Sequence, residues 1–408
     1  MKTFLASFLI ALVAFSAAGC DKGGPADENA ADEPVPILLT KADQGVRDAS
    51  NAFGLDVFSR LYALREGKDV AFSPLSLSLA LAMAAEGAEG QTWEQFREVC
   101  GWKATTKDEL GAFFNTMSAG LAAADPQVSF TSSNSLWAAP DLVLKADFKS
   151  LLERHFQAES YTVDFTGSEA LGRINGWCSD KTAGKSLRML EDVDPLTRMM
   201  LINALLFKAP WRDKWELAKD RTFQGEAASS NKDYLHGDKT LAYADYGKFE
   251  AVALPYGNTA YEMVAFLPKA GAKLEDVLPD IAQQAGSLSL TQRQAEVYLP
   301  VFSTSYFTGD ALFKVLIDKG LALPFSGLAD FRGISESESL FISKVLQRVQ
   351  VDVTEKGTEF AAVTVIEFRK NTSVGPTFKL VLDFNRPFAY LIREVSSGAI
   401  LLLGTLSN

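Results

Sequence analysis

The chain has 408 residues, 47% of them hydrophobic and 22% charged, a balance that supports a buried core and excludes disorder of the whole chain. Lys+Arg 40 against Asp+Glu 51 leaves a net charge of −11, which repels phosphate backbones and argues against nucleic-acid binding. Three cysteines (Cys20, Cys100, Cys178) and two histidines (His155, His236) are too few and too scattered for a disulfide scaffold, a four-thiolate zinc site or an HExxH motif. No metal or cofactor is therefore expected, and most hydrolase mechanisms lose their usual parts.

At the N-terminus Lys2 precedes an apolar run from Phe4 to Phe15, then Ser16-Ala17-Ala18-Gly19 and Cys20. A charged start, a short apolar stretch and small residues before a cleavage point read as a signal peptide over residues 1–19. The cleavage region resembles the lipobox of bacterial lipoproteins, with Ala17 where that box more often has leucine. This implies acylation of Cys20 and anchorage to a bacterial membrane. The chain is then a periplasmic or cell-surface lipoprotein; the alternative is an ordinary secreted protein. Residues 20–44 are acidic and rich in Ala, Gly and Pro, and read as a flexible linker.

The body, residues 45–408, reads as one domain. Ala52, Leu55, Phe58, Leu61 and Tyr62 recur at helical spacing over 46–65. Ser73 and Pro74 open a second helix as N-cap and first helical residue; its leucines and alanines lie on all sides, so it is expected to be buried. Helical patterns follow at 91–100, 108–123, 146–156 and 168–180. Strand patterns dominate later, at 198–207, 249–254, 260–268, 294–303, 345–355, 358–368, 378–383, 387–395 and 399–405. Helices first and strands later, without a βαβ rhythm, point to an α+β fold.

Gly184-Lys185-Ser186 imitates the end of a phosphate-binding loop, but Ser179 stands where the leading glycine is required. His155 and His236 sit in charged or turn-like contexts and read as solvated surface. Cys100 and Cys178 read as buried thiols, with a mutual disulfide as the alternative. The unusual segment is 345–376. Val349, Val351 and Val353 alternate with polar residues, and after Glu355-Lys356-Gly357-Thr358-Glu359 comes a run of small and β-branched residues, Ala361 to Ile366. Its downstream flank, Arg369-Lys370-Asn371-Thr372, is basic and turn-forming, suited to proteolysis. An ordinary hairpin with a long tip is the simpler alternative.

Glu355-Lys356-Gly357-Thr358-Glu359 followed by Ala361-Ala362 resembles the proximal hinge of serpins, and Phe384-Asn385-Arg386-Pro387-Phe388 resembles that family's C-terminal signature. Phe72-Ser73-Pro74-Leu75-Ser76, Asn203 with Phe207-Lys208 and Trp211, Leu254-Pro255-Tyr256 and Phe266-Leu267-Pro268 extend the similarity along nearly the whole body.

The resemblance implies a single domain with three β-sheets, eight to nine helices and an exposed reactive-centre loop. It also implies suicide inhibition of a serine, or alternatively cysteine, protease by insertion of the cleaved loop into the main sheet, with no catalytic group of the chain's own. Carried onto this sequence, the hinge is Glu355, Gly357, Thr358, Glu359, Phe360, Ala361 and Ala362. The scissile bond follows Lys370 or Asn371, with Arg369 and Thr372 as flanking candidates; a basic residue there suits a trypsin-like protease. Ser73, Ser76, Asn203 and Gln347 form the network beneath the sheet opening, and Trp211 lies beneath its upper end. Besides the protease and the membrane no partner is implied, and the chain is expected to be a monomer. Phe360 stands where inhibitory members carry a small residue, which supports the alternative of a non-inhibitory binding protein or a plain substrate. Gln347 replaces a histidine, and Val301 replaces a basic residue that pairs with the hinge glutamate.

Overall fold

The computed structural model describes residues 33–184, 188–359 and 380–408. The body begins before the expected boundary at residue 45. Ile37 is buried and its N–H donates to Ser396 Oγ at 2.8 Å, and a reciprocal capping box between Thr40 and Asp43 starts the first helix at Lys41.

Eight α-helices are present among the described residues: α1 (Lys41–Ala63), α2 (Pro74–Glu86), α3 (Gly90–Val99), α4 (Lys107–Ala123), α5 (Ala146–Phe156), α6 (Glu169–Lys181), α7 (Leu274–Ala285) and α8 (Asp310–Asp318). The strands are β1 (Ala71–Phe72), β2 (Ser129–Ala138), β3 (Glu159–Thr162), β4 (Met199–Pro210), β5 (Glu216–Gln224), β6 (Ser229–Asp245), β7 (Phe249–Pro255), β8 (Tyr261–Pro268), β9 (Thr291–Pro300), β10 (Phe302–Phe307), β11 (Arg348–Thr354), β12 (Gly357–Glu359), β13 (Leu380–Asp383), β14 (Phe388–Glu394) and β15 (Ile400–Leu406). Ser73 caps α2 as expected, its Oγ accepting from Ser76 N, and every residue of that helix except Ala80 is buried. No described helix is long and apolar enough to cross a membrane.

Among the described residues one sheet has six strands in the order β10-β11-β12-β4-β2-β3, and the other has nine, β1-β15-β14-β8-β7-β6-β9-β13 with β5 on β6. The long β6 joins two of the three expected sheets, pairing through its first half with β5 and through its last residues with β7. The single strand expected at 294–303 is two. The chain leaves the larger sheet at Pro300, which has no N–H to donate, and β10 enters the smaller sheet beside β11. Similarly, the strand expected from 345 begins at Arg348, because Gln347 is diverted into a side-chain network described below. Of the strand expected at 358–368, only the first residues are described.

Candidate functional site: the hinge and the open slot

Strand β12, of three described residues, pairs on both sides. Gly357 and Thr358 face Pro210 and Ala209 of β4, while Gly357, Thr358 and Glu359 face Thr354, Val353 and Asp352 of β11. All of these pairings are antiparallel, so β4 and β11 run parallel to each other. Below β12 they share no ladder among the described residues. The smaller sheet is thus wedged apart at one end and unzipped beyond it.

The seat of the hinge is aromatic. Trp211 stacks on Tyr256 with centroids 4.5 Å apart and planes at 13°, and its indole Nε1–H donates to Thr354 O at 2.8 Å. Its backbone N–H donates to Lys356 O at 3.1 Å. Thr358 is fully buried and its hydroxyl hydrogen-bonds the Tyr256 phenol; complete burial pushes that phenol's pKa far above the ordinary tyrosine value. Gly357 lies so close to β4 that a Cβ would stand 2.1 Å from Ala209 O. Trp211 and hinge residues Gly357 and Thr358 therefore come together as one unit. Tyr256, which sequence reasoning did not assign to the hinge, completes it. Glu355 is half-buried, and Val301, the replacement for its expected basic partner, packs on the core.

Between the rims lies a cavity of about 370 Å³. Its floor is one face of α2, with Ser76, Leu77, Ala80, Leu81 and Ala84, and its rims are Leu201–Leu206 and Val345–Gln350. The expected Ser73, Ser76, Asn203 and Gln347 cluster is present in two halves. Gln347 Nε2 donates to Ser73 O at 3.0 Å, its Oε1 accepts from Ser73 N at 2.7 Å, and Ser73 Oγ donates to Leu401 O at 2.7 Å. Asn203 instead turns to β2, donating from Nδ2 to Ser132 Oγ and Asn134 Oδ1, each at 2.9 Å. Its Oδ1 is buried without a hydrogen-bond partner. The halves stand on opposite rims, so the open slot separates them.

Phe360, Ala361, Ala362, the candidate bond residues Arg369, Lys370, Asn371 and Thr372, and Cys20 lie outside the described residues, as do Lys185 and Ser186 of the Gly184-Lys185-Ser186 motif. Both histidines differ from expectation. His155 packs against Gly111, with its pKa lowered by burial and by Arg154. His236 stacks on Tyr298 at 4.4 Å, and its Nε2 lies 3.0 Å from Glu296 Oε1. Cys100 and Cys178 are free and buried in separate apolar clusters, and burial pushes the Cys178 thiol up to about 12. No His, Cys, Asp and Glu group suited to a metal occurs among the described residues.

The fold is thus an α+β body whose smaller sheet is wedged apart at one end by β12. The family model for Serpin (serine protease inhibitor) matches residues 48–408, and the chain belongs to that family. Iripin-3 of Ixodes ricinus is 31% identical over 391 residues, covering 91% of this chain and 97% of its own length. Among solved structures, the native state of the thermophilic serpin tengpin superposes with a TM-score of 0.80 at 24% identity, covering 92% of this chain and 97% of that one. Thyroxine-binding globulin in complex with thyroxine gives 0.78 at 24% identity, covering 89% and 98%.

Proposed function

We propose that the chain inhibits a trypsin-like serine protease by suicide trapping. The protease attacks the loop at Lys370-Asn371 or Asn371-Thr372, and the freed strand enters the slot before the acyl-enzyme is hydrolysed. The nucleophile is the target's, in keeping with a chain of 408 residues that carries two histidines.

The carrying observation is β12, a strand paired on both sides above rims that share no ladder among the described residues. Continued at that register, Phe360 arrives opposite Phe207 and Val351, Ala362 opposite Leu205 and Val349, Thr364 opposite Asn203 and Gln347, and Ile366 opposite Leu201 and Val345. Thr364 thereby brings a hydroxyl to the orphaned Asn203 Oδ1. About nine residues would gain ladder bonds worth about 1 kcal/mol net each, and burial of Ile366 adds roughly 1.5–3 kcal/mol. Entry is favourable by about 10 kcal/mol before chain entropy, so the native state persists because of a barrier.

A second reading, a serpin-fold binding protein cleaved as a plain substrate, draws on Phe360. Its ring would meet Phe207 and Val351 at the first step of entry, and overpacking costs about 1–3 kcal/mol. The N-terminal pattern supports export and anchorage through a lipid on Cys20. Incubation with a panel of serine and cysteine proteases separates the readings: inhibition predicts a covalent complex that survives SDS, whereas clipping near Lys370 with continued turnover by every protease overturns it.

A further inference from the structure

The slot has a cover, and the cover is fastened to both rims by charge. Helix α6 packs Ile174, Trp177 and Cys178 on the outward residues Ile202 and Ala204 of β4. Segment 188–198, which leads into β4, crosses toward β11. Along this crossing Lys344 Nζ lies 3.0 Å from Asp192 Oδ1, and Arg348 Nη2 lies 3.7 Å from Glu191 Oε1. At the start of β4, Arg198 reaches the connector that leads into β11: its Nε and Nη2 donate to Glu338 at 2.7 and 2.6 Å, and its Nη1 donates to Asp141 beyond β2 at 3.0 Å.

Parity assigns Arg348 to the outer face: Val349, Val351 and Val353 are buried while Arg348, Gln350 and Asp352 are half-exposed. Lys344 precedes the strand and is itself exposed. The acidic residues Glu191 and Asp192 therefore meet β11 from outside, over the space an entering strand must fill. Segments 188–198 and 338–348 share no backbone hydrogen bond among the described residues. What joins them across the slot is this set of ion pairs, with apolar lining beneath.

We propose that Arg198–Glu338, Lys344–Asp192 and Arg348–Glu191 form an electrostatic latch that holds the cover against β11 and sets the rate at which a strand enters the slot. The proposal rests on the slot reading above and adds its control. Each pair is partly or largely exposed, so each is individually weak and screened by salt. Acting together at one opening they are sufficient to change a rate by about tenfold.

The test uses the full chain and a synthetic acetylated peptide with the sequence of residues 357–368 as the entering strand, with uptake followed by native electrophoresis and by the rise in melting temperature. Uptake by the wild type should accelerate about tenfold between 50 and 500 mM NaCl. The variant Glu191→Gln/Asp192→Asn/Glu338→Gln should take up peptide quickly at low salt and lose the salt dependence. Lys314→Gln/Asp318→Asn, which removes an exposed pair on α8, should behave as wild type. Equal rates and equal salt slopes in the wild type and the triple variant would overturn the latch while the uptake itself upholds the slot. No uptake by any of them would overturn the slot reading and the latch with it.

Discussion

Gly357→Ala tests the hinge at the atom where it has no slack. The added methyl would stand 2.1 Å from Ala209 O and 2.8 Å from Pro210 Cα, both of them backbone atoms of β4 that cannot rotate aside. The conflict is relieved only if β12 leaves its place. That forfeits the pairings of Gly357 and Thr358 with Pro210, Ala209, Thr354 and Val353, together with the Thr358–Tyr256 hydrogen bond. About four hydrogen bonds at roughly 1 kcal/mol net each, partly replaced by water at the vacated edge, set the loss at about 2–3 kcal/mol. The melting temperature should fall by about 3–4 °C for a body of this size. Tryptophan emission should also change, because the turn whose Lys356 carbonyl accepts from the Trp211 backbone N–H moves with β12. The inserted product carries the same clash, so trapping slows relative to hydrolysis and more inhibitor is consumed per protease trapped. Calorimetry, fluorescence and titration of active protease read these three effects. A variant with wild-type melting, emission and stoichiometry would refute the claim that β12 seats the hinge.

Phe360→Ala should lower the number of inhibitor molecules consumed per protease trapped, since it removes the ring that meets Phe207 and Val351; an unchanged stoichiometry would remove Phe360 as a brake. Glu86 is 4% exposed, and neither of its carboxylate oxygens has a hydrogen-bond partner. Burial, opposed by Lys107 and Arg154 and reinforced by Asp108, raises its pKa from 4.5 to about 8. A raised carboxyl contributes stability that is fully present below about 4.5 and is lost progressively as pH rises to about 8. Glu86→Gln should therefore flatten the decline of melting temperature between pH 5 and 8, and a parallel decline in both proteins would contradict the assignment. Cys20→Ala should abolish incorporation of radiolabelled fatty acid and release the chain from membranes; continued incorporation would place the lipid elsewhere.

What the sequence made legible was local. Ser73-Pro74 announces the start of α2 because capping chemistry depends on neighbouring residues, and Val349-Val351-Val353 announces β11 because alternation does. The strands β5 and β6 escaped notice since their outer positions are exposed and polar, leaving no apolar period to detect. The hinge sequence was recognisable as a motif, but its seat was not: Trp211 and Thr354 meet across 143 residues, and Tyr256 and Thr358 across 102. The latch pairs are of the same kind, with Arg198 and Glu338 separated by 140 residues. Asn203 and Gln347 show the opposite failure. A sequence motif places them in one network, but the gap between the rims divides it.

Melting of the chain before and after a single cleavage near Lys370 tests the central claim most directly, because it measures strand entry without requiring that any protease be trapped. If residues 360–368 enter the slot at the register of β12, a gain of up to about 10 kcal/mol before chain entropy should raise the melting temperature by several degrees, to a ceiling of roughly 13 °C for a body of this size. Cleavage that leaves the melting temperature unchanged would mean that the slot does not accept the strand, and the account would fail.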